Sequence, residues 1–204
     1  MAEIPLELVR QLRDLTGGGM MDCKKALEET GGDLDKAIVL LRERGIAKAA
    51  RRAGRETSNG VIEAYLHRTS EDYPPQVGAL VEVDCETDFV AKGEDFRRLA
   101  RELAMHVAAA APRWVSSDDV PAEVLDEERG IYQRKAEQDG KPDAAISRIV
   151  EGQLQKFFED NCLLEQPYVR DPKMPVKDLV ADAISKLQEN ITVRRFSRFS
   201  VKEA

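Results

Sequence analysis

Long apolar runs are missing from this 204-residue sequence: none approaches the roughly 18 to 20 residues that a membrane-spanning helix needs, so no membrane role is expected. The amino end, Met1 to Gln11, carries two acids and lacks the apolar core of a signal peptide, which makes the cytoplasm the expected location. Cysteine is scarce. Cys23, Cys85 and Cys162 are odd in number, far apart and without CxxC spacing, so neither a disulfide framework nor a zinc site is indicated and three free thiols are expected. The two histidines, His67 and His106, do not stand at the spacing of a metal-binding pair, and neither a metal nor any other cofactor is expected. An excess of basic charge is also absent. With 31 Lys and Arg against 38 Asp and Glu, the net charge of −7 argues against direct nucleic-acid binding and for a protein or small-molecule partner.

Catalytic groupings are equally thin. Cys85, His106 and Asp88 could be imagined as the nucleophile, base and orienter of a thiol hydrolase, yet no nucleophile turn or oxyanion hole surrounds them. Cys85 continues the apolar side of a strand, where a thiol behaves as a small hydrophobe. Gly17-Gly18-Gly19 follows a helical pattern and lacks the trailing Lys-Ser/Thr of a phosphate loop, so it reads as a turn. No enzymatic activity is expected.

What is present is an α+β pattern in two parts. Residues 1–46 read as three short helices: one from Pro5 with Leu8, Leu12 and Leu15 on one side, a second from about Met21 to Thr30, and a third capped by Asp33. Leu34, Ala37, Ile38 and Leu41 form the stripe of the third helix, which Gly45 is expected to stop. Ile46 to Arg55 sets Lys48, Arg51, Arg52 and Arg55 among alanines without interleaved aromatics, the pattern of a charged helical connector rather than a nucleic-acid grip. Residues 1–55 are therefore expected to be a small docking module with its connector, and residues 56–204 the core domain. So small a module buries little, which directs exposed residues such as Met20 and Met21 toward binding.

In the core domain the period switches to two. Ile62, Ala64 and Leu66 alternate with Glu63, Tyr65 and His67, and a loop over Thr69 to Gln76 leads to a second strand with Val77, Ala79, Val81, Val83 and Cys85 on one face. Helical stripes follow at Phe96, Leu99, Leu103 and Val107, around Val124 to Gln138, at Ile146 to Phe157, and after Pro175. The closing run Ile191 to Phe199 is expected to join the hairpin in a three-stranded antiparallel sheet with helices over one face. After Cys85 the alternation stops, leaving Asp88 and Phe89 in a turn. Phe89 either tucks under the next helix or forms a contact tip. His106 sits beside the apolar stripe of its helix, as a boundary histidine would.

Two segments carry a family resemblance: Thr16-Gly17-Gly18-Gly19-Met20-Met21-Asp22-Cys23-Lys24-Lys25-Ala26-Leu27 and Glu86-Thr87-Asp88-Phe89-Val90-Ala91. With Ala104-Met105-His106-Val107-Ala108, Gln166-Pro167-Tyr168-Val169 and Arg194-Arg195-Phe196, the sequence resembles the translation elongation factor Ts family over essentially its whole length. The resemblance implies a ubiquitin-associated-like (UBA-like) three-helix amino-terminal domain and a guanine nucleotide exchange factor for elongation factor Tu. It implies that Thr87, Asp88, Phe89 and Val90 enter the partner beside its magnesium, with Phe89 as a wedge, and that GDP leaves so that GTP can bind. Met20, Met21 and Lys24 match the face that docks on the partner, and His106 matches a further contact position. Longer family members carry a second core copy and a coiled coil. This chain has room for one core, like the family's short form, and a homodimer through the β-rich carboxyl end is implied, with no cysteine there to bridge it. The alternative reading is a non-catalytic adaptor whose three-helix module binds a protein partner.

Overall fold

The computed structural model describes residues 4–201. Helix α1 (Leu6–Thr16) ends at Gly17, whose φ of 66° supplies the left-handed cap that a side-chain-bearing residue adopts reluctantly. Helix α2 (Met20–Glu29) is followed by α3 (Leu34–Arg52), whose N-cap Asp33 accepts a hydrogen bond from the Lys36 amide at 3.0 Å. The three enclose Val9, Leu12, Cys23, Ala26, Leu27 and Ala37, with Leu8, Leu34, Ile38 and Leu41 packed around them. Leu15 was expected in this stripe but is 61% exposed; Val9 takes the inward place.

Gly45 does not stop the third helix, and the connector is its continuation. The residue is buried where α3 meets α8 (Val176–Leu187), and a Cβ there would stand 3.5 Å from Ser185. Glycine marks a close approach between helices here rather than a break. The contact is pinned at both ends: Arg42 pairs with Asp178 at 2.6 Å and Arg52 donates to Gln188 at 2.7 Å. Lys48 pairs with Asp22 and Arg55 with Glu86, so these connector cations hold the chain's own groups.

Strands β1 (Asn59–His67), β2 (Val77–Cys85) and β5 (Ile191–Ser200) form the expected antiparallel sheet in the order β1-β2-β5. Ala79, Val81, Val83 and Cys85 of β2 are buried, as are Phe96, Leu99, Leu103 and Val107 of α5 (Glu94–Ala110), so both periodic stripes of this α+β fold face inward. Helices α6 (Ala122–Gln138) and α7 (Asp143–Asn161) pack on one another. A two-stranded ribbon, β3 (Pro167–Tyr168) with β4 (Asp171–Pro175), was not expected; segments this short carry no readable period. No helix among the described residues is long and apolar enough to cross a membrane.

Contacts gather the chain into two units. One holds the chain up to Glu63, Glu82–Ala100 and Asp178–Val193; the other holds Ala64–Val81, Arg101–Lys177 and the chain from Arg194. The second unit has an open apolar groove of about 480 Å³ on the sheet, lined by Ala64, Leu66, Leu80, Phe199 and Val201. Leu66, Phe199 and Val201 are 61%, 72% and 74% exposed. The apolar series of β1 thus faces solvent, while Val61 and Tyr65 on its other side are half-buried.

Candidate functional site

The segment after β2 folds into a single helical turn, α4 (Asp88–Ala91), held on its N-terminal side by Thr87. The Thr87 hydroxyl accepts a bond from the Val90 amide at 3.4 Å and donates its one proton to Glu189 Oε1 at 2.6 Å. Ala91 is buried and anchors the turn's far side. Phe89 is 84% exposed. Of the two sequence readings, packing under the next helix is not what this conformation shows: the ring stands in solvent on a turn that is capped and anchored.

Asp88 lies beside it, also exposed, with its carboxylate 2.6 Å from the Lys92 ammonium. That hydrogen bond and the lysine's charge hold Asp88 below the usual carboxylate range. The site therefore presents an aromatic ring and an ionised acid side by side.

The strand beneath depends on Gly60 of β1, where a Cβ would overlap the Val83 carbonyl oxygen and lie 2.6 Å from Asp84 Oδ1. Cys85, the last residue of β2, donates through Sγ to the Thr87 carbonyl at 3.2 Å, and burial pushes its thiol up to about 11. A protonated, buried, hydrogen-bonded thiol is the opposite of an activated nucleophile, and the thiol hydrolase reading loses its first member.

His106 is not at a boundary but fully buried. Its Nδ1 accepts from the Val169 amide at 3.3 Å, which leaves Nε2 to donate to Gln166 Oε1 at 2.9 Å. The Gln166 amide in turn donates to the Asp160 carbonyl at 3.0 Å, and Tyr168 packs against the imidazole with ring centroids 6.0 Å apart. The imidazole thus organises the 166–169 segment, from which Pro167 and Val169 reach the surface, Val169 being 40% exposed.

In the amino-terminal helices, Met21 is 62% exposed and Lys24, paired with Glu28 at 3.8 Å, also faces out. Met20 is half-buried against the helical core, and the exposed Leu15 joins Met21 among the apolar residues presented by α1 and α2. Leu15 was missed because its spacing from Leu8 and Leu12 fits the inward stripe.

The sequence profile of the family Elongation factor TS matches residues 35–203. The chain is 52% identical over 200 residues to elongation factor Ts of Thermosipho melanesiensis, covering 98% of this chain and 100% of that protein. It is 53% identical over 196 residues to the protein of that name from Caldanaerobacter subterraneus, covering 96% of each. It is 50% identical over 204 residues to that of Frankia casuarinae, end to end in both. Agreement of this extent between chains of nearly equal length places the whole sequence in one group: the chain belongs to the elongation factor Ts family.

Proposed function

We propose that this chain, a translation elongation factor by family, is the guanine nucleotide exchange factor of elongation factor Tu. In this reading Thr87, Asp88, Phe89 and Val90 enter the GDP-bound partner, dislodge its magnesium and loosen its hold on the diphosphate, so that GTP can follow. The observation that supports it most is the presentation of Phe89, 84% exposed on a capped turn beside an ionised Asp88. A large ring held in water has unrealised burial energy, and a rigid mount keeps the ordering cost of its insertion low.

Phe89 cannot act by itself. Weakening nucleotide binding a thousandfold takes about 4 kcal/mol, and burying one phenylalanine yields roughly 1.5 to 3. Further interface on the order of 1,000 Å² has to come from elsewhere. The three-helix module and its connector, residues 1–55, are the proposed second arm, docking through Met20, Met21 and Lys24 with Leu15 beside them; the first of these contributes from a half-buried position. His106 is proposed to act at the partner through the Tyr168 to Val169 segment that it holds.

The proposal includes a homodimer. The exposed sheet residues Leu66, Leu80, Phe199 and Val201 form an apolar surface of the kind that self-association covers, and the chain contains one core copy where longer members have two. Stopped-flow release of fluorescent GDP from elongation factor Tu tests the exchange reading. The chain is expected to accelerate release, with Asp88→Ala and Phe89→Ala each slowing it; no acceleration by the unaltered chain would rule the reading out.

A further inference from the structure

We infer that Glu189 is a positioning residue for exchange: its carboxylate sets the direction in which the Asp88–Phe89 tip projects. The inference rests on the proposed role of that tip. Glu189 Oε2 accepts from the Glu86 amide at 3.1 Å and the Thr87 amide at 3.0 Å, while Oε1 accepts from the Thr87 hydroxyl at 2.6 Å. Three donors on two consecutive residues converge on one anionic group. The hydroxyl bond at 2.6 Å has the short length of a bond to a carboxylate, and the two amide bonds at 3.0 and 3.1 Å have ordinary N–H···O lengths. The two successive peptides that lead into the tip, 85–86 and 86–87, are thereby held by one carboxylate.

The placement of Glu189 is itself expensive for the backbone. Gln188 adopts a φ of 63°, a left-handed conformation that a residue with a Cβ takes up only where its surroundings impose it. This turn at the end of α8 brings both following residues to the tip. Asn190, 2% exposed, donates its amide to Glu86 Oε1 at 2.6 Å and its side-chain nitrogen to the Arg55 carbonyl at 2.8 Å. The Asn59 side chain donates to the Glu86 carbonyl at 2.9 Å, and Arg55 reaches Glu86 Oε1 at 3.3 Å. Glu86 and Thr87 are therefore held at main chain and side chain by the 188–190 turn and by the end of the amino-terminal connector. The Asp88 carboxylate pairs with Lys92, within the tip itself, and the Phe89 ring is 84% exposed. Their aim is inherited from Glu86 and Thr87, and the acid that both of those share is Glu189.

A tip that occupies its working orientation only part of the time acts at a rate reduced by that fraction. Removing the carboxylate lets water take over the freed donors and lets the peptides turn. The expected cost is at least about tenfold in the saturating rate of GDP release, with the half-saturating concentration changed by less than about threefold, because the docking face is untouched.

The test is stopped-flow release of fluorescent GDP from elongation factor Tu over a range of concentrations of the full chain, comparing Glu189→Ala, Glu189→Gln, Phe89→Ala and the double variant Glu189→Ala/Phe89→Ala. Glu189→Ala is expected to lose about tenfold in saturating rate, while Glu189→Gln, whose amide oxygen can still accept from both backbone N–H groups, stays within about threefold of the unaltered chain. The double variant is expected to fall below Phe89→Ala by much less than the loss Glu189→Ala causes alone, because a mis-aimed tip without its ring has only the contribution of Asp88 left to lose. In the free chain, amide exchange at Glu86 and Thr87 is expected to speed up in Glu189→Ala, with Val81 and Val83 unchanged. An unaltered rate in Glu189→Ala overturns the inference alone. So does a double variant in which the two losses multiply, which is the behaviour of an independent structural defect. An unaltered rate in Phe89→Ala sinks the tip reading and the inference with it. Should Glu189→Ala fail to fold, Glu189→Gln decides: a loss as large as that of Phe89→Ala, with Glu86 and Thr87 amides still protected, overturns the positioning role.

Discussion

Replacing His106 with alanine removes a fully buried ring both of whose nitrogens are bonded, and leaves Gln166 Oε1 and the Val169 N–H without their partner. Each orphaned group costs about 1 to 3 kcal/mol and the vacated volume adds to it, so a loss of about 3 to 5 kcal/mol is expected at pH 7.5. That is a large share of the roughly 5 to 15 kcal/mol of a typical domain. The loss also carries a pH signature. Burial holds His106 below the ordinary histidine value, and Nδ1 is already engaged as an acceptor. The native state thus prefers the neutral ring while the unfolded chain takes up a proton near pH 6.5, so this stabilisation is complete above that pH and is lost as pH falls toward the folded value. Denaturant melts of the two chains should show a gap that narrows below pH 6.5, by up to about 1.4 kcal/mol per unit. A gap that stays constant from pH 7.5 to 5 would refute the neutral, buried imidazole.

Gly45→Ala should raise stability by about 0.5 to 1 kcal/mol in thermal melts, because the new Cβ meets Ser185 at the ordinary contact distance of 3.5 Å and glycine is a poor helix former. Gly60→Ala should do the reverse, costing about 1 to 3 kcal/mol through overlap with the Val83 carbonyl and shifting the amide signals of the tip that follows β2. Leu66→Glu, which puts a charge into the apolar groove, should convert a dimer to a monomer in equilibrium sedimentation without lowering the melting temperature of the monomer; an unaltered association constant would move the pairing surface elsewhere.

Much of the architecture was legible because periods are local. The alternation from Val77 to Cys85 and the helical stripe from Phe96 to Val107 identify β2 and α5, and both stripes are buried. A period does not say which of two faces meets the core, and so the apolar series Ile62, Ala64 and Leu66 gave no warning that it would lie in solvent. Glycine is ambiguous in the same way: at Gly17 it ends a helix, while at Gly45 it admits a neighbouring one. Leu15 follows the inward spacing of α1 yet points out, because a helix of only 11 residues against so small a core needs few anchors. The 188–190 turn was illegible for another reason. Its partners Glu86 and Thr87 lie 102 to 104 residues earlier in the chain, and no local pattern joins a glutamate after one helix to the amides of a distant loop.

The central claim is that an exposed ring on a rigid turn drives nucleotide release. Its most direct measurement is the saturating rate of GDP release from elongation factor Tu by Phe89→Ala, made alongside a thermal melt of the same variant. Phe89 is 84% exposed, so the melt should be unchanged, while loss of the 1.5 to 3 kcal/mol that burying the ring would supply should slow release roughly 10- to 150-fold. An unchanged melt together with an unchanged release rate would contradict the claim.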